Sequence, residues 1–265
     1  MDEICKEIRR MTVECIGSIG SGHIGGSMSM AELMKVLYFD KMNIDPSNPK
    51  KEGRDRLVVS KGHAGPVVYA TLALKGFFPK DWLYTLNKFG TNLPSHCDMN
   101  KTPGIDMTAG SLGQGFSCAV GVAIGSKIKK DGATIYSVIG DGESQEGQIW
   151  EAAMLAASKK LDNLIAFTDY NKMQLDGNVE DINSLGNLKS KWKAFGWYTQ
   201  EIDGHDCEAI SKAIDRAKAK KGQPSMIILN TVKGKGISFV EAAGYKNHSM
   251  AMNKENVEAA LAELQ

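Results

Sequence analysis

Short apolar runs alternate with segments of helical periodicity along most of this chain. The segment Ala133 to Ile139 is apolar and β-branched, and Leu164 to Thr168 has the same character, so both predict buried strands. Between them, Gln145 to Lys160 carries apolar side chains at helical spacing. The pattern therefore predicts a strand–helix–strand unit of a parallel sheet.

The remainder of the chain continues this alternation. Ser29 and Glu32 match the capping-box pattern that opens a helix, and Asn253 is a favourable N-cap for the last helix. Since no repeat or low-complexity linker interrupts the pattern, we expect one doubly wound α/β domain over residues 1–265, with a mainly parallel sheet flanked by helices. The other predicted strands are Arg56 to Ser60, Tyr198 to Ile202 and Met226 to Asn230, and the predicted helices end near residues 16, 41, 75, 87, 130, 160, 193, 221 and 264.

Composition places the chain among ordinary globular proteins. It carries 32 Lys and Arg against 31 Asp and Glu, so it lacks the basic surplus of a nucleic-acid-binding protein. The five cysteines are scattered without a C-x-x-C pair, which favours a reduced, intracellular protein. The N-terminus is charged, unlike a signal peptide, and no apolar run reaches the roughly 20 residues that span a membrane. We therefore expect a cytoplasmic protein that binds neither nucleic acid nor membrane.

Polar residues follow the two central strands where those strands end. Asp141 lies in a Gly-Asp-Gly turn after the first strand, and Asn171 follows the second. Ligands bind at the carboxyl ends of strands in open α/β sheets. The Asp141 carboxylate, the Asn171 amide and the backbone carbonyl of Met173 offer oxygen ligands of the kind that Mg²⁺ takes. Gly142 and the start of the next helix suit an anion, so the sequence predicts a metal together with a diphosphate. The alternative is an ordinary turn between strand and helix that happens to contain Asp and Gly.

The spacing favours the metal site. Asn171 lies 30 positions after Asp141, with the strand–helix–strand pattern between them. This arrangement resembles the pattern of thiamine diphosphate enzymes, in which Gly-Asp-Gly is followed about thirty residues later by Asn.

A second glycine-rich loop, TAGSLGQGF, covers residues 108–116 and runs into an apolar helix. Its Gly110-Ser111-Leu112 turn permits close approach of the backbone to a ligand, and the helix start suits an anion. A crowded helix contact that needs small residues explains the same composition equally well. Both interpretations remain open from these residues alone.

Four of the five histidines lie in loops that contain glycine, serine or asparagine. Histidine is the side chain best suited to donate or accept protons near neutral pH. A single loop histidine is usually structural, whereas several in one α/β domain predict a site rich in imidazole. These four are His23, His63, His96 and His248.

Taken together, the motifs resemble those of the amino-terminal, diphosphate-binding part of transketolases. They occur in the family's order over nearly the entire chain: SGHIGG, SKGHAG, LPSHCD, TAGSLGQG, GDGESQEG, DYNKMQLDG and a C-terminal GKG…NHS segment. The resemblance implies the thiamine diphosphate-binding fold, with thiamine diphosphate and Mg²⁺ (or Ca²⁺ or Mn²⁺) as cofactors. It also implies transfer of a two-carbon ketol unit from a ketose to an aldose.

The resemblance implies roles for individual residues as well. Asp141, Asn171 and the backbone of Met173 would hold the metal. The residues around the diphosphate and thiazolium would be Gly142, His63 and the Gly110-Ser111-Leu112 turn. The residues that contact the ketose hydroxyls or transfer protons would be His23, His96 and His248.

Three further positions can be compared with the family pattern: two match it, and one departs from it. Glu146 resembles a residue that links two cofactor sites across a dimer, which would be a structural role. His205, in a DGHD stretch that the family shares, is predicted to be structural at a domain edge. Ser249 follows His248 where family members more often carry glycine.

A separate partner chain is also implied by the resemblance. A complete transketolase has a second domain that binds the cofactor's aminopyrimidine and supplies the glutamate that activates it. The strands and helices predicted here are used up by one domain, so we expect a pyrimidine-binding, C-terminal partner subunit in an assembly of two plus two chains. The chain alone should be inactive. The ketose, and whether it carries a phosphate or a sulfonate, is left open.

Two alternatives remain at this point. Another two-chain thiamine enzyme, such as a 2-oxo acid dehydrogenase component, should have fewer sugar-facing histidines, and His23 and His96 count against it. A non-catalytic, cofactor-binding partner subunit is the second alternative. The presence of Asp141, Asn171 and the histidines counts against that interpretation.

Overall fold

A five-stranded parallel sheet forms the centre of the computed structural model, which describes residues 2–265. All five strands predicted from the sequence are present, with ends shifted by at most two residues. In chain order the strands are β1 (Ser21–Gly22), β2 (Arg56–Val59), β3 (Ile135–Gly140), β4 (Leu164–Tyr170), β5 (Tyr198–Asp203), β6 (Ser225–Asn230) and β7 (Met250–Ala251). The main sheet has the order β2-β3-β4-β6-β5, and every neighbouring pair is parallel.

Helices connect the strands and cover the sheet. The cap predicted for the last helix is confirmed, because Asn253 Oδ1 accepts from the backbone N–H of Asn256 at 2.9 Å. Within residues 2–265, no helix is long and apolar enough to cross a membrane. The α-helices are α1 (Glu3–Gly17), α2 (Gly25–Met28), α3 (Ala31–Lys35), α4 (Gly65–Lys75), α5 (Gln114–Lys129), α6 (Gly147–Ser158), α7 (Val179–Asn183), α8 (Leu188–Ala194), α9 (Cys207–Ala219), α10 (Ser238–Ala242) and α11 (Lys254–Glu263).

Shorter helical segments of other types complete the connections. The segment Val36–Lys41 extends α3 as a π-helix, which agrees with the predicted helix end near residue 41. The 3₁₀ segments are Gly62–Ala64, Lys80–Thr85, Gly142–Gln145 and Gly244–His248.

Alternate side chains of the central strands contribute to two hydrophobic cores, one on each face of the sheet. On β4, Ile165 and Phe167 belong to the core formed with α1, α3, α4 and α9, whereas Leu164 and Ala166 belong to the core formed with α5, α6 and α8. Period-two alternation produces this split. Each fully buried large apolar side chain contributes about 1.5–3 kcal/mol. The two-sided burial is the doubly wound arrangement that the sequence predicted, and it leaves the carboxyl ends of the strands at one edge.

The capping box predicted at Ser29 and Glu32 is wrong. Helix α3 begins at Ala31, and neither side chain caps it. Ser29 Oγ donates to Asp169 Oδ2 at 2.7 Å, and Glu32 Oε1 accepts from Arg9 Nη1 at 2.7 Å. Both side chains are buried, so they pair with the charged groups that the fold brings to them.

A two-residue antiparallel pair lies outside the main sheet and was not predicted. Strand β1 pairs with β7, with Ser21 opposite Ala251. Such a short pair has no sequence pattern of its own. It brings the loop that carries His23 beside the loop that carries His248, although these loops come from opposite ends of the chain.

Candidate functional site

A cavity of about 340 Å³ opens at the carboxyl edge of the parallel sheet. All the site residues predicted from the sequence line it, except Ser111, which is exposed in the same turn. The predicted residues around the cavity are His23, His63, His96, Gly110, Leu112, Asp141, Gly142, Asn171, Met173 and His248. The chain therefore brings the carboxylate, amide, glycine and imidazole groups of seven separate motifs to one place.

The ends of β3 and β4 form one wall of the cavity. Gly140 pairs with Asp169 in the parallel register, so the residues that follow these strands lie side by side. Asp141 is buried, and its Oδ1 accepts from the backbone N–H of Gly142 at 2.7 Å. Asn171 Nδ2 donates to Asp169 Oδ2 at 3.1 Å, which orients the amide.

Asp141 lies in an environment that disfavours its charge. Burial raises the pKa of Asp141 to about 7, and the nearby charge of Asp169 adds to this effect. Hydrogen bonds from Gly142 and Lys172, and the charge of Lys61, oppose the rise without cancelling it. A bound cation would remove this penalty, because an opposite charge favours the ionised carboxylate.

The oxygen ligands at this wall suit a hard cation that is shared with another ligand. Among residues 2–265, no three His, Cys, Asp or Glu side chains are grouped to hold a metal ion. Asp141 would be the single carboxylate, joined by the Asn171 amide oxygen and the Met173 backbone carbonyl. Mg²⁺ is commonly bound in this way, through one or two carboxylates together with phosphate oxygens and water. The residues present therefore fit a metal with a diphosphate.

Glu143 connects this wall to the glycine-rich loop, a role that the sequence analysis missed. Its buried carboxylate accepts from the Ser60 hydroxyl, from the backbone N–H of Gly113 at 2.8 Å and from that of Gly140 at 3.0 Å. Burial raises the pKa of Glu143, and these three donors oppose that rise. The carboxylate therefore holds the ends of β2 and β3 and the start of α5 together around the cavity. Its only sequence signal is its place in the GDGES motif.

Two glycines allow the loops of this wall to pack closely. A Cβ at Gly62 would lie 2.2 Å from the backbone oxygen of Ala109. A Cβ at Gly115 would lie 2.7 Å from the Cα of Ser60. Any side chain at either position would therefore force the packed backbones apart.

The four predicted histidines form a cluster that lines the cavity. The ring centroid of His23 lies 5.5 Å from that of His63, 5.6 Å from that of His96 and 5.3 Å from that of His248. His63 and His248 are 4.8 Å apart by the same measure. The rings come from four separate motifs: His23 and His248 lie in loops beside the β1–β7 pair, His63 follows β2, and His96 lies in the loop that precedes α5.

The cluster favours neutral imidazoles. Burial lowers the pKa of all four side chains, and the positive charge of Lys61 or Lys233 adds to the effect in all but His96. For His248, burial and then Lys233 lower the pKa to about 4. Because each pKa is lowered from its ordinary value, the neutral form of the ring is favoured, in which one ring nitrogen can accept a proton or a hydrogen bond.

Two lysines of the cavity were not predicted as site residues. Lys61 Nζ donates to Asp169 Oδ2 at 2.5 Å and to the backbone oxygen of Gly26 at 2.8 Å. Lys233 Nζ lies 3.4 Å from His248 Nδ1, and burial lowers its pKa to about 8. Both follow the carboxyl ends of strands and precede glycines, which is a signal that could have identified them. The Lys61 charge is paired with Asp169, whereas the Lys233 ammonium group lines the cavity and suits an anionic ligand.

Comparisons with known proteins show what the chain as a whole is similar to. The family model described as "Transketolase, thiamine diphosphate binding domain" matches residues 1–264. The chain is 58% identical to the 6-deoxy-6-sulfo-D-fructose transketolase subunit of Clostridium sp. (strain MSTE9), over 97% of this chain and 94% of the relative. It is 40% identical to an apulose-4-phosphate transketolase subunit of Actinobacillus succinogenes, over 100% of this chain and 95% of the relative.

A solved structure shows the same fold. The transketolase from Leishmania mexicana superposes on this chain with a TM-score of 0.92 at 30% identity, over 98% of this chain. This chain spans 40% of the length of that transketolase chain.

Proposed function

Since this chain belongs to the transketolase family through its thiamine diphosphate binding domain, we propose that it is the diphosphate-binding subunit of a two-chain transketolase. One observation carries the proposal. A single cavity is lined by the Asp141 carboxylate, the Asn171 amide and four clustered imidazoles. The carboxylate and the amide suit a metal with a diphosphate, and the rings of His23, His96 and His248 suit a polyhydroxylated substrate.

Thiamine diphosphate with Mg²⁺, Ca²⁺ or Mn²⁺ is the group that we propose for the cavity. When bound, thiamine diphosphate supplies the nucleophilic carbon and the electron sink for two-carbon transfer. Asp141, Asn171 and the backbone carbonyl of Met173 would hold the metal. The groups next to the diphosphate and thiazolium would be His63, Gly142 and the Gly110-Ser111-Leu112 turn, with Lys61 and Lys233 nearby.

The two lysines and the proposed metal ligand Asp141 have different charge partners. Lys61 is already paired with Asp169, so it mainly keeps that buried carboxylate charged and the Asn171 amide oriented. The ammonium group of Lys233 is buried and lies next to the Nδ1 nitrogen of His248. An anion in the cavity would compensate the charge of Lys233, as a cation would compensate that of Asp141.

His23, His96 and His248 would act on the sugar. A neutral imidazole can accept a proton from a substrate hydroxyl or donate its N–H hydrogen to an oxygen. The His23 ring centroid lies 5.6 Å from that of His96 and 5.3 Å from that of His248, so these rings could hold adjacent hydroxyls in a fixed geometry, which lowers the entropic cost of reaction. The cavity walls around them would limit the access of water.

We propose a ketose with a terminal anionic group as the substrate class, and a sulfonated ketose as the first candidate. The relative that acts on 6-deoxy-6-sulfo-D-fructose shares 58% identity with this chain, whereas the apulose-4-phosphate relatives share 38% and 40%. The anionic end would be bound outside the cavity described here.

A second chain with the pyrimidine-binding domain is part of the proposal. Three relatives that this chain matches over 89% to 95% of their length are named as transketolase subunits, and the chain spans 40% of the Leishmania mexicana transketolase chain. We propose a cytoplasmic assembly of two plus two chains, with residues 1–265 as one thiamine diphosphate- and metal-binding domain.

Binding and turnover measurements test the proposed function. Calorimetry should detect thiamine diphosphate binding that requires Mg²⁺, with the chain alone and after coexpression with a candidate partner subunit. The complex should then transfer a two-carbon unit from 6-deoxy-6-sulfo-D-fructose or a phosphorylated ketose to an aldose. Absence of thiamine diphosphate binding in both samples would overturn the proposal. Binding without ketol transfer would favour a non-catalytic cofactor-binding subunit.

A further inference from the structure

The ring of His205 makes two hydrogen bonds that link residues outside the cavity to the backbone next to one of its lysines. It lies between β5 and α9 and does not line the cavity. Its Nδ1 is 3.0 Å from Glu32 Oε2, and its Nε2 is 2.9 Å from the backbone nitrogen of Val232. Val232 directly precedes Lys233, whose side chain lines the cavity.

These partners define the tautomer of His205. The backbone N–H of Val232 can only donate, so Nε2 must accept and carries no hydrogen. Nδ1 then carries the hydrogen and donates it to the Glu32 carboxylate. A ring with both nitrogens protonated would lose the bond to Val232.

Glu32 is itself rigidly held by Arg9. The guanidinium donates from Nη1 to Glu32 Oε1 at 2.7 Å and from Nη2 to Glu32 Oε2 at 2.8 Å, which is a bidentate pair. Arg9 Nε also donates to the backbone oxygen of Lys235 at 2.9 Å. The loop over residues 231–236 is therefore held on both sides of Lys233, by His205 at Val232 and by Arg9 at Lys235.

The backbone at Gly234 leaves little freedom between these two anchors. Gly234 has a φ of 89°, and a Cβ there would lie 2.8 Å from Val240 Cγ1. Its N–H donates to the backbone oxygen of Gly25 at 3.0 Å, and Asn247 Nδ2 donates to the backbone oxygen of Lys233 at 3.1 Å. The direction of the Lys233 side chain thus follows from the position of the loop backbone.

We propose that His205 is a positioning residue for Lys233. Its unprotonated Nε2 holds the Val232 amide, and this contact keeps the Lys233 ammonium group in the cavity beside His248. The part of this inference that concerns cofactor affinity rests on the proposed function, because Lys233 is there taken to face an anionic diphosphate. The part that concerns the loop does not depend on it.

Two substitutions separate the two nitrogens of the ring. Asn places a donor near the position of Nδ1 and nothing near Nε2, whereas Gln places an acceptor oxygen near Nε2. In the apo chain, hydrogen–deuterium exchange of the peptide covering residues 231–236 should rise about tenfold in His205→Asn. It should stay within about twofold of wild type in His205→Gln. Unchanged exchange in His205→Asn, or equal increases in the two variants, would overturn the proposal.

The tautomer of His205 can also be measured in the wild-type chain, so the proposal stays testable even if a variant fails to fold. Nitrogen-15 NMR of the labelled histidines at neutral pH should show a His205 ring with hydrogen on Nδ1 and none on Nε2. The opposite tautomer would overturn the proposal.

A double-mutant cycle then connects the loop to the cofactor. His205→Asn and Lys233→Met should each weaken thiamine diphosphate binding about fivefold to tenfold, and the double variant should bind no more weakly than Lys233→Met alone. Additive losses would mean that His205 acts elsewhere and would overturn the proposed link. If the wild-type chain binds no thiamine diphosphate, the proposed function fails, and the exchange and NMR results still decide the positioning role.

Discussion

Lys61, which lines the cavity, forms an ion pair with Asp169, with Nζ 2.5 Å from Oδ2 and side chains only 2% and 1% exposed. The carboxylate also accepts from Ser29 Oγ, from Asn171 Nδ2 and from the Thr231 hydroxyl. Burial raises the pKa of Asp169, but the Lys61 charge and these hydrogen bonds lower it overall. Lys61 therefore keeps the Asp169 carboxylate ionised next to the proposed metal ligands. The loops that carry Ser29, Asn171 and Thr231 are all hydrogen-bonded to that carboxylate.

Removing Lys61 should leave that charge buried and unpaired. Lys61→Met is expected to lower the free energy of unfolding by about 3–5 kcal/mol, measured by urea denaturation at neutral pH. Lys127→Met is the matched control, because Lys127 pairs with Asp162 at 2.6 Å but the side chains are 39% and 23% exposed. The control should lose about 1 kcal/mol or less. Equal losses in the two variants would contradict the importance of the buried pair.

Asp141 is expected to be essential for cofactor binding. Asp141→Ala removes the single proposed carboxylate ligand, so the affinity for thiamine diphosphate with Mg²⁺ should fall at least tenfold, about 1.4 kcal/mol. Calorimetry measures this change, and Asp176→Ala, at an exposed position in the loop after β4, serves as the control. If Asp141→Ala bound thiamine diphosphate with unchanged affinity, Asp141 would not be a metal ligand.

The histidines should separate into two groups. His63→Ala is expected to weaken thiamine diphosphate binding, because we propose this ring next to the diphosphate. His23→Ala and His96→Ala should leave that affinity unchanged and lower kcat/KM for the ketose at least tenfold, measured with the partner subunit present. If all three variants lost cofactor affinity equally, the proposed division between cofactor and substrate roles would be wrong.

Glu32 should make stability dependent on pH in the acid range. Burial raises the pKa of Glu32, but hydrogen bonds from His205 and Arg9 and the Arg9 charge lower it from 4.5 to about 2. A carboxyl group with a lowered folded-state pKa stabilises the fold above pH 4.5 and loses that contribution as the pH falls to about 2. The loss is on the order of 3 kcal/mol.

Urea denaturation at a series of pH values tests this dependence. The free energy of unfolding of the wild-type chain should fall more steeply between pH 4.5 and 2 than that of Glu32→Gln. Glu151→Gln, at an exposed position on α6, controls for the loss of one carboxyl group. Parallel curves for wild type and Glu32→Gln would contradict the prediction.

Ketol transfer should require a second polypeptide. We expect no turnover by the purified chain alone, because the pyrimidine-activating glutamate of the family belongs to another domain. Turnover should appear on addition of the partner subunit, through an interface that buries more than about 2,000 Å² if the assembly is obligate. Turnover in a sample that mass spectrometry shows to contain this chain alone would contradict the expectation.

Several features of this protein were determined by the sequence alone. The apolar runs predicted all five strands of the main sheet, because burial on both faces requires continuous β-branched and apolar residues. Parallel strands end at a common edge, so the positions of Asp141 and Asn171 after consecutive strands predicted that they would lie together. The glycine- and histidine-containing motifs predicted many of the residues that line the cavity.

Only the tertiary structure decided which partner each buried polar side chain takes. Ser29 and Glu32 match a helix cap in sequence, yet they pair with Asp169 and Arg9, which are 140 and 23 residues away. Likewise, His205 bonds Glu32 across 173 residues. A buried polar group must find a hydrogen-bond partner, and it takes whichever one the packed elements bring within about 3 Å. Sequence order does not contain that distance, so these contacts appear only once the sheet and its helices are assembled.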